Sequence, residues 1–596
     1  MKRLFISLLS LATFACVGPS QKRTGDYAMP NQNANVMFAN LTNHWLDGLM
    51  RLSPISATRY GDHRFDDEVD DLSAQGRAAR TSFDKAILAE LQGIDTAQLT
   101  RENQVDARIL RNELHSALFN EELLQEWRTD PLLYNRLAGD AIYNLLAREF
   151  APLPVRMRAA AARMQKMPAL LAQARANLDP ARVPKVHAET VAKQNHGIIG
   201  IVDDLVVPSL PDLPLPQQES LKAAIATLRA AVAVHQAWIE KVLVPGARGD
   251  FRLGGALYTQ KLSYALDSSL SAAEIRTRAE RELQRVRSEM FKLAVQVLKQ
   301  KQPGTAVPAQ ADEAQQQSLI EAALEYAYAD RPARDQVVAT AKQTLAQATE
   351  FVRSKDLVTV PNDPVKVILM PEFQRGVAVA YCDSPGPLDK GQATYYAISP
   401  IPEDWTAAQS DSFLREYNTR MMHLLSIHEA MPGHYLEGVH SAEHPSLLRA
   451  VLRSGLFAEG WAVYTEQMMT AEGYLDADPL FRLVQAKFYL RAIANAMLDY
   501  GVHVQGWERE QAMNLMVRQT FQQEREAAGK WTRAQLTSAQ LPTYFVGLQE
   551  QWDLRHAVQA KQGSGFLLKR YHDQVLSYGA PATKYVRALM LNEAIP

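Results

Sequence analysis

Apolar residues recur every three or four positions along much of the chain, which is the spacing of one face of an α-helix. The clearest examples are residues 156–177, 221–242, 272–298 and 334–353, where Ala, Leu, Glu, Gln, Lys and Arg fill most positions. Proline-rich breaks such as residues 207–216 separate these segments. The pattern predicts a mainly α-helical protein.

One region departs from this helical spacing. Val365–Met370, Gly376–Tyr381 and Ala393–Ile398 are short apolar runs rich in β-branched and aromatic residues, and Pro and Gly divide them. We expect three short strands here, which form a small sheet just before the next helix.

That helix is predicted to begin near Thr406, whose hydroxyl can cap it while Gln409 reaches back to the cap backbone. Apolar residues at helical spacing predict its buried face: Phe413, Leu414, Tyr417, Met421, Leu424 and Leu425. The helix leads into the segment that carries the chemistry, His428-Glu429-Ala430-Met431-Pro432-Gly433-His434.

The two histidines and Glu429 are the residue types that a hydrolytic zinc site needs, because neutral imidazoles bind zinc and a neighbouring carboxylate can take a proton from water. His428 and His434 are six residues apart, so a straight helix would point them roughly 120° away from each other. Pro432 cannot donate to the His428 carbonyl, and Gly433 tolerates unusual backbone angles. A bulge can therefore bring the histidines together. The other interpretation is a helix that ends at Pro432-Gly433 with two unrelated histidines.

A third ligand should be a carboxylate from a nearby helix. Glu459 and Glu466 are seven residues apart, or two turns, on a face that is otherwise apolar. A carboxylate on such a face needs a partner. Zinc would make Glu459 the third ligand and leave the fourth position to water, whereas the alternative is a helix with two solvated glutamates.

Composition fits a large globular protein. The chain has 596 residues, of which 47% are hydrophobic and 22% charged, so it can bury a sizeable core and allows two or more lobes. Its net charge of −2, from 64 basic and 66 acidic residues, provides no electrostatic footprint for nucleic acid. The chain also contains no G-x-S-x-G, G-x-x-x-x-G-K-[ST] or G-x-G-x-x-G motif for a rival chemistry.

The N-terminus has the pattern of an export signal. Lys2 and Arg3 precede an apolar run that ends at Ala15, directly before Cys16. We predict a signal peptide over residues 1–15, a lipid on Cys16 and a flexible tether over residues 16–34. The protein would then be periplasmic and anchored to the outer membrane by its lipid, with a soluble periplasmic or secreted protein as the alternative.

Several motifs together resemble a known family. His-Glu-x-x-Pro-Gly-His followed by Glu-Gly-Trp-Ala-x-Tyr-x-Glu resembles the bacterial family of domain of unknown function 885, and the likeness covers nearly the whole mature chain. The further matching positions are Pro54, Ala57, Thr58, Gly61, 70–73, Asp499, His503, Gly506, Trp507, Gln540, Tyr544, Gly547, Arg555, Tyr571 and His572. The departures are Ser538-Ala539, where the family usually has Pro-Gly, and Glu437 in place of Gln.

Members of that family are often predicted lipoproteins and are grouped with thermolysin-like zinc peptidases. The resemblance implies a large multi-helical, zinc-peptidase-like body over residues 35–596, with a deep cleft between helical lobes 35–355 and 356–596. In such peptidases a sheet edge beside the metal accepts the substrate backbone as an added strand. A purely structural sheet that covers the core is the alternative.

The function expected from the motif and the resemblance is zinc-dependent hydrolysis of peptide bonds, with one zinc ion and Glu429 as general base. Tyr544 and His572 are candidate donors to the oxyanion. Arg555 could pair with a substrate carboxylate or with a structural acid. Asp499 and His503, one turn apart, could form a pair behind the metal, a proton relay or an ordinary surface pair, and Glu466 belongs to the same outer group.

Two other functions stay open at this stage. One is a catalytically idle peptidase fold that binds peptides or scaffolds an envelope complex, although a binder would not need Glu429. The other is a zinc hydrolase that acts on a non-peptide amide of the envelope. The choice between trimming and internal cleavage, the residue preference, the metal used in the cell and the oligomeric state are also open.

Overall fold

The computed structural model of the protein describes residues 32–362, 365–370 and 379–596. The predicted signal peptide, Cys16 and most of the tether lie outside the described residues, as do residues 376–378 of the second predicted strand. Within the described part of the chain, no helix combines the length and the apolar character that a membrane span requires.

Helices make up 73% of the structure, which confirms the mainly α-helical prediction. The helices before the sheet are α1 Gln32–Leu52, α2 Pro54–Tyr60, α3 Ala74–Gln92, α4 Arg101–Phe119, α5 Glu126–Thr129, α6 Pro131–Leu146, α7 Leu153–Asn177, α8 Lys185–Gln194, α9 Gly197–Ile201, α10 Leu215–Trp238, α11 Val244–Gly246, α12 Gly254–Leu266, α13 Ala272–Lys301, α14 Glu313–Ala329 and α15 Val337–Ser354. The helices after the sheet are α16 Ala407–Glu416, α17 Thr419–Glu429, α18 His434–Glu443, α19 Leu447–Val451, α20 Gly455–Ala471, α21 Pro479–His503, α22 Arg509–Met513, α23 Glu524–Leu536, α24 Pro542–Gln562, α25 Leu568–Ser577 and α26 Thr583–Leu591.

The small sheet lies where it was predicted. Its strands are β1 Lys366–Leu369, β2 Ala380–Asp383 and β3 Tyr395–Ile398, in the order β1-β3-β2. β3 is parallel to β1 and antiparallel to β2, with Tyr396 opposite Val367 and Cys382. β2 is therefore an edge strand, and it packs beside α17.

The apolar core is divided into three clusters. The largest draws its buried residues from 258–586, and a second draws them from 55–247. The third joins residues 38–114 to a few residues between 448 and 585, so it ties the chain's beginning to its end. α20 and α24 pack closely in the largest cluster, since a Cβ on Gly460 would lie 2.5 Å from the Cα of Gly547.

The predicted helix that leads to His428 is two helices. Thr406 and Gln409 form the expected capping box of α16, but that helix ends at Glu416. Asn418 then starts α17 by accepting a hydrogen bond from the Met421 N–H at 3.2 Å. The prediction of a single helix was wrong because an unbroken run of apolar residues at helical spacing hides a new cap inside it.

Candidate metal centre

The two histidines of the motif come from different helices. α17 ends at Glu429 and α18 begins at His434, so the expected bulge is a complete break of four residues. Gly433 donates its N–H to the Ile427 carbonyl at 2.9 Å, and a Cβ on Gly433 would lie 1.9 Å from the His428 carbonyl oxygen. Only glycine fits this close return of the backbone. The Trp461 indole N–H donates to the Pro432 carbonyl at 2.9 Å and fixes the break from the side.

The break brings three potential ligand atoms together. One nitrogen of His428, one of His434 and a carboxylate oxygen of Glu459 all lie within 4.8 Å of one another. Glu459 Oε2 is 3.5 Å from His428 Nε2 and 3.4 Å from His434 Nε2, and the two rings are nearly perpendicular at 88°. The group could hold a metal ion.

These residues fit zinc by their chemistry as well as their convergence. Two imidazole nitrogens and one carboxylate oxygen are a donor set that catalytic zinc uses. Glu459 Oε2 is buried, and within the described residues it accepts no hydrogen bond of good geometry. A buried carboxylate oxygen without a donor is costly unless a cation satisfies it.

Helix α20 positions the carboxylates. Ser454 caps its first turn by accepting from the Phe457 N–H at 3.3 Å, and Glu459 and Glu466 then follow on the same face. Glu466 is 1% exposed, and its Oε1 lies 2.7 Å from His428 Nδ1. Glu466 therefore stands behind His428, turning the other ring nitrogen, Nε2, towards Glu459.

The carboxylates of the group draw positive charge towards the imidazole rings. Burial disfavours a charged imidazole, but the adjacent carboxylates of Glu459 and Glu466 outweigh it and raise the pKa of His428 well above its ordinary value. Burial would raise the pKa of Glu459, yet the two adjacent imidazoles hold that pKa below its usual range. For His434 burial dominates and lowers the pKa, which keeps its ring neutral.

Glu429 lies beside this group rather than within it. Its side chain is 8% exposed, and burial raises its pKa to about 7. A backbone hydrogen bond from Cys382, on the edge strand β2, reaches its carboxylate. Glu429 and His428 both line one cavity, so the carboxylate faces space that a substrate can enter.

This cavity has a volume of about 580 Å³. Its walls come from residues 379–544, which include the start of β2, the segment after β3, α16, α17, α20, α21, α23 and the start of α24. The cavity thus lies within the predicted 356–596 lobe, and a cleft between the two predicted lobes is not confirmed. Tyr544 lines the cavity, and its ring centroid lies 6.5 Å from that of His428.

The structure places His572 and Arg555 away from the cavity wall. His572 is fully buried, with Nε2 2.7 Å from the Tyr464 hydroxyl and Nδ1 2.7 Å from the Leu357 carbonyl. Arg555 donates to that same hydroxyl at 3.1 Å and lies 4.0 Å from Glu472. Neither residue lines the cavity, so the donor role expected of His572 and the substrate pairing considered for Arg555 stay predictions.

Asp499 and His503 do not pair either. Asp499 Oδ2 accepts hydrogen bonds from the Tyr258 hydroxyl and the Ala539 N–H, both at 2.8 Å. His503 Nε2 lies near the carbonyls of Ala534 and Thr537, at 3.0 and 2.9 Å. Among the described residues no hydrogen bond joins the two, and neither residue lines the cavity. Both tie α21 to neighbouring segments, which corrects the predicted relay.

Sequence reasoning missed several charged residues that line the same cavity. Arg491 comes from α21, while Lys530 and Arg533 come from one face of α23. Lys530 and Arg533 are three residues apart, which is the helical spacing that would have marked a shared basic face.

The residues that depart from the family pattern can also be located in the structure. Glu437 is buried and forms an ion pair with Arg453, so a charge replaces the usual amide there. Ala539, where the family has Gly, adopts a left-handed backbone with φ of 61°. Ser538 accepts a hydrogen bond from Lys261 at 2.9 Å.

Comparison with known proteins identifies the family and gives no activity. None of the curated proteins matches the chain. The chain resembles the structure of a candidate lipoprotein of unknown function from Shewanella oneidensis, with 34% identity and a TM-score of 0.78 over 93% of this chain and 99% of that one. A candidate lipoprotein from Colwellia psychrerythraea has the same fold, with 19% identity and a TM-score of 0.75 over 94% and 98%. The profile of the bacterial proteins of unknown function called DUF885 matches residues 54–590, and the chain belongs to that family.

Proposed function

We propose that the protein is a zinc-dependent metallopeptidase that hydrolyses peptide bonds with metal-activated water and Glu429 as general base. The observation that carries this proposal is the convergence of His428, His434 and Glu459 beside a cavity that His428 and Glu429 line. A site that only bound peptides would have no use for a buried, uncoordinated carboxylate next to the ligands.

His428, His434 and Glu459 would hold the ion, which supplies a lowered pKa for water and polarisation of the scissile carbonyl when bound. The chain's own groups supply the proton transfers. Glu429 accepts a proton from the attacking water on its free carboxylate oxygen and can deliver it to the leaving nitrogen. Burial beside the ligands raises the pKa of this carboxyl, which suits a group that both accepts and returns a proton.

Two further groups support the reaction. Glu466 holds His428 Nδ1 at 2.7 Å, so the ring cannot turn its other nitrogen away from the group. The Tyr544 hydroxyl is the remaining sequence-predicted donor on the cavity wall, and burial keeps it protonated by raising its pKa. We assign it the hydrogen bond to the carbonyl oxygen as charge develops there.

The choice of a peptide as substrate rests on the cavity and on the strand beside it. A volume of about 580 Å³ accommodates a few amino-acid residues. Among the described residues β2 pairs with a strand on one side only, and it lies next to Glu429. An extended peptide can add to such an edge through backbone hydrogen bonds.

We also propose that the mature protein is held in the periplasm by a lipid on Cys16, with no other attachment to a membrane. The relative from Shewanella oneidensis is described as a candidate lipoprotein, and this chain has an export pattern before Cys16. Mass spectrometry of the mature N-terminus tests this assignment: a diacylglycerol-modified Cys16 supports it, and an unmodified N-terminus beyond Cys16 overturns it.

The decisive test of the function is Glu429→Gln in the zinc-loaded protein. Glutamine keeps the shape of the side chain but cannot accept the proton, so turnover of a cleaved peptide should fall about 100-fold or more while zinc stays bound. Glu443→Gln, on the exposed end of α18, is the matched control and should cleave normally. Native turnover by Glu429→Gln would contradict the mechanism. Failure of the zinc-loaded native protein to cleave any peptide of a mixed library would contradict the substrate class.

A further inference from the structure

The cavity wall formed by α23 carries an excess of positive charge. Lys530 and Arg533 both line the cavity from this helix, and Lys530 is 8% exposed. Arg491 lines it from α21. Buried cations of this kind normally sit beside carboxylates, so their partners decide whether they are structural.

The acidic residues nearby are already paired. Glu416 Oε2 accepts from Lys487 at 2.8 Å, and Glu526 Oε1 accepts from Arg491 at 2.6 Å. The Tyr417 hydroxyl also donates to Glu526, at 3.1 Å. Two carboxylates and two cations thus compensate one another, which leaves Lys530 and Arg533 outside the pairing.

Neither of those two cations has a carboxylate within 4.0 Å among the described residues. Arg533 donates to two neutral oxygens instead, Gln540 Oε1 at 2.8 Å and the Tyr544 hydroxyl at 3.3 Å. Burial and the nearby guanidinium groups depress the pKa of Lys530 to about 7. A buried ammonium that its own fold leaves unneutralised is a ready partner for an anion brought by a ligand.

Tyr544 connects this basic wall to the metal group. Its hydroxyl accepts the Arg533 hydrogen bond, while its ring stands 6.5 Å from the His428 ring at an angle of 22°. The 6.5 Å separates the rings of Tyr544 and His428, and Arg533 lies a further 3.3 Å beyond the Tyr544 hydroxyl. One extended peptide residue spans about 3.5 Å, so a few residues bridge the distance between the basic wall and the ligands.

We propose that Lys530 and Arg533 bind the C-terminal carboxylate of the peptide substrate, so that the enzyme removes a few residues from C-terminal ends. This inference rests on the proposed peptidase function and deepens it. It assigns the two residues to substrate binding, with Tyr544 between them and the reacting carbonyl. An acidic side chain near the scissile bond offers the same chemistry, and the substrates below separate the two sources.

The test uses three forms of one peptide that the zinc-loaded protein cleaves: the free acid, its C-terminal amide, and the amide with Glu as the last residue. Charge-assisted hydrogen bonds predict that kcat/KM is about 10 to 100-fold higher for the acid than for the amide. Lys530→Met and Arg533→Gln should each raise KM for the acid about tenfold and shrink its advantage over the amide. Arg285→Gln, an exposed α13 residue that pairs with Glu282, is the control and should leave both constants unchanged.

The outcomes separate the two proposals. Equal cleavage of acid and amide, with internal cuts, would overturn this inference and leave the peptidase function intact. If the amide with a terminal Glu is cleaved as well as the free acid, the basic wall binds acidic side chains. That result also overturns the C-terminal assignment. Loss of kcat with an unchanged acid-to-amide ratio in both variants would mean that the two cations act only on the fold. If the zinc-loaded protein cleaves no peptide at all, the proposed peptidase function itself is contradicted.

Discussion

Replacing Glu466 probes the candidate metal centre while all three proposed ligands stay in the chain. Its carboxylate is 1% exposed and lies 2.7 Å from His428 Nδ1, while His428 Nε2 points at Glu459. A proton on Nδ1, donated to Glu466, leaves Nε2 free to bind a cation. Glu466→Ala removes this acceptor, and Glu466→Gln keeps a carbonyl oxygen in nearly the same place.

The expected magnitude follows from that single contact. Partners of this kind contribute about 10 to 100-fold to metal affinity, which corresponds to about 1.4 to 2.7 kcal/mol. Alanine should show the whole loss, because it frees the ring to rotate and leaves the Nδ1 proton without an acceptor. Glutamine should show about tenfold or less, because only the negative charge is lost.

The assay is competition for zinc against a chromophoric chelator, with the secondary structure of each variant checked by circular dichroism. Glu443→Gln is the matched control, since Glu443 is exposed at the end of α18. Two results would refute the reasoning: a folded Glu466→Ala protein that binds zinc as tightly as the native chain, or a Glu466→Gln protein that binds it more weakly than Glu466→Ala.

Three other predictions concern the fold. Gly433→Ala places a Cβ 1.9 Å from a backbone oxygen, so urea unfolding should show a loss of about 1–3 kcal/mol together with weaker zinc binding; native values would contradict the close approach. Ala539→Gly relieves a left-handed residue with φ of 61°, and the free energy of unfolding should rise by about 0.5 kcal/mol after the entropy cost of glycine; a fall would contradict it. Burial lowers the pKa of His63, but hydrogen bonds to two aspartates outweigh it and raise that pKa to about 9. The contribution of protonated His63 to the free energy of unfolding is complete below pH 6.5 and is lost as the pH rises through about 9. Between pH 6.5 and 9 the melting temperature of the native protein should therefore fall more than that of His63→Gln. The difference should be equivalent to about 1 kcal/mol after allowance for partial exposure of His63. Equal changes in melting temperature for the two proteins would contradict these ion pairs.

Local signals in the sequence predicted the local structure well. The capping box of Thr406 and Gln409 and the three strands all depend on a few neighbouring residues, and the structure shows each of them. The approach of His434 to His428 was also predictable, because Pro432 and Gly433 prevent a straight helix. The full break between the two helices was not, since it depends on the Trp461 indole, which reaches the Pro432 carbonyl from α20.

Roles that depend on distant partners could not be predicted. The sequence spacing places His503 one turn from Asp499, but Tyr258 and the Ala539 backbone occupy the carboxylate. His572 meets Tyr464 only through tertiary packing. Conversely, nothing in the sequence distinguishes Lys530 from a lysine on the surface of a helix. Only the structure shows that it lines the cavity.

The proposed function requires that His428, His434 and Glu459 hold one zinc ion. The most direct measurement is the zinc content of the purified, zinc-loaded protein after dialysis, determined by mass spectrometry of the metal for the native chain and for His434→Ala. We predict about one zinc per native chain and almost none in a folded His434→Ala protein. A native chain that retains no zinc, or a His434→Ala protein that retains the native amount, would contradict the claim.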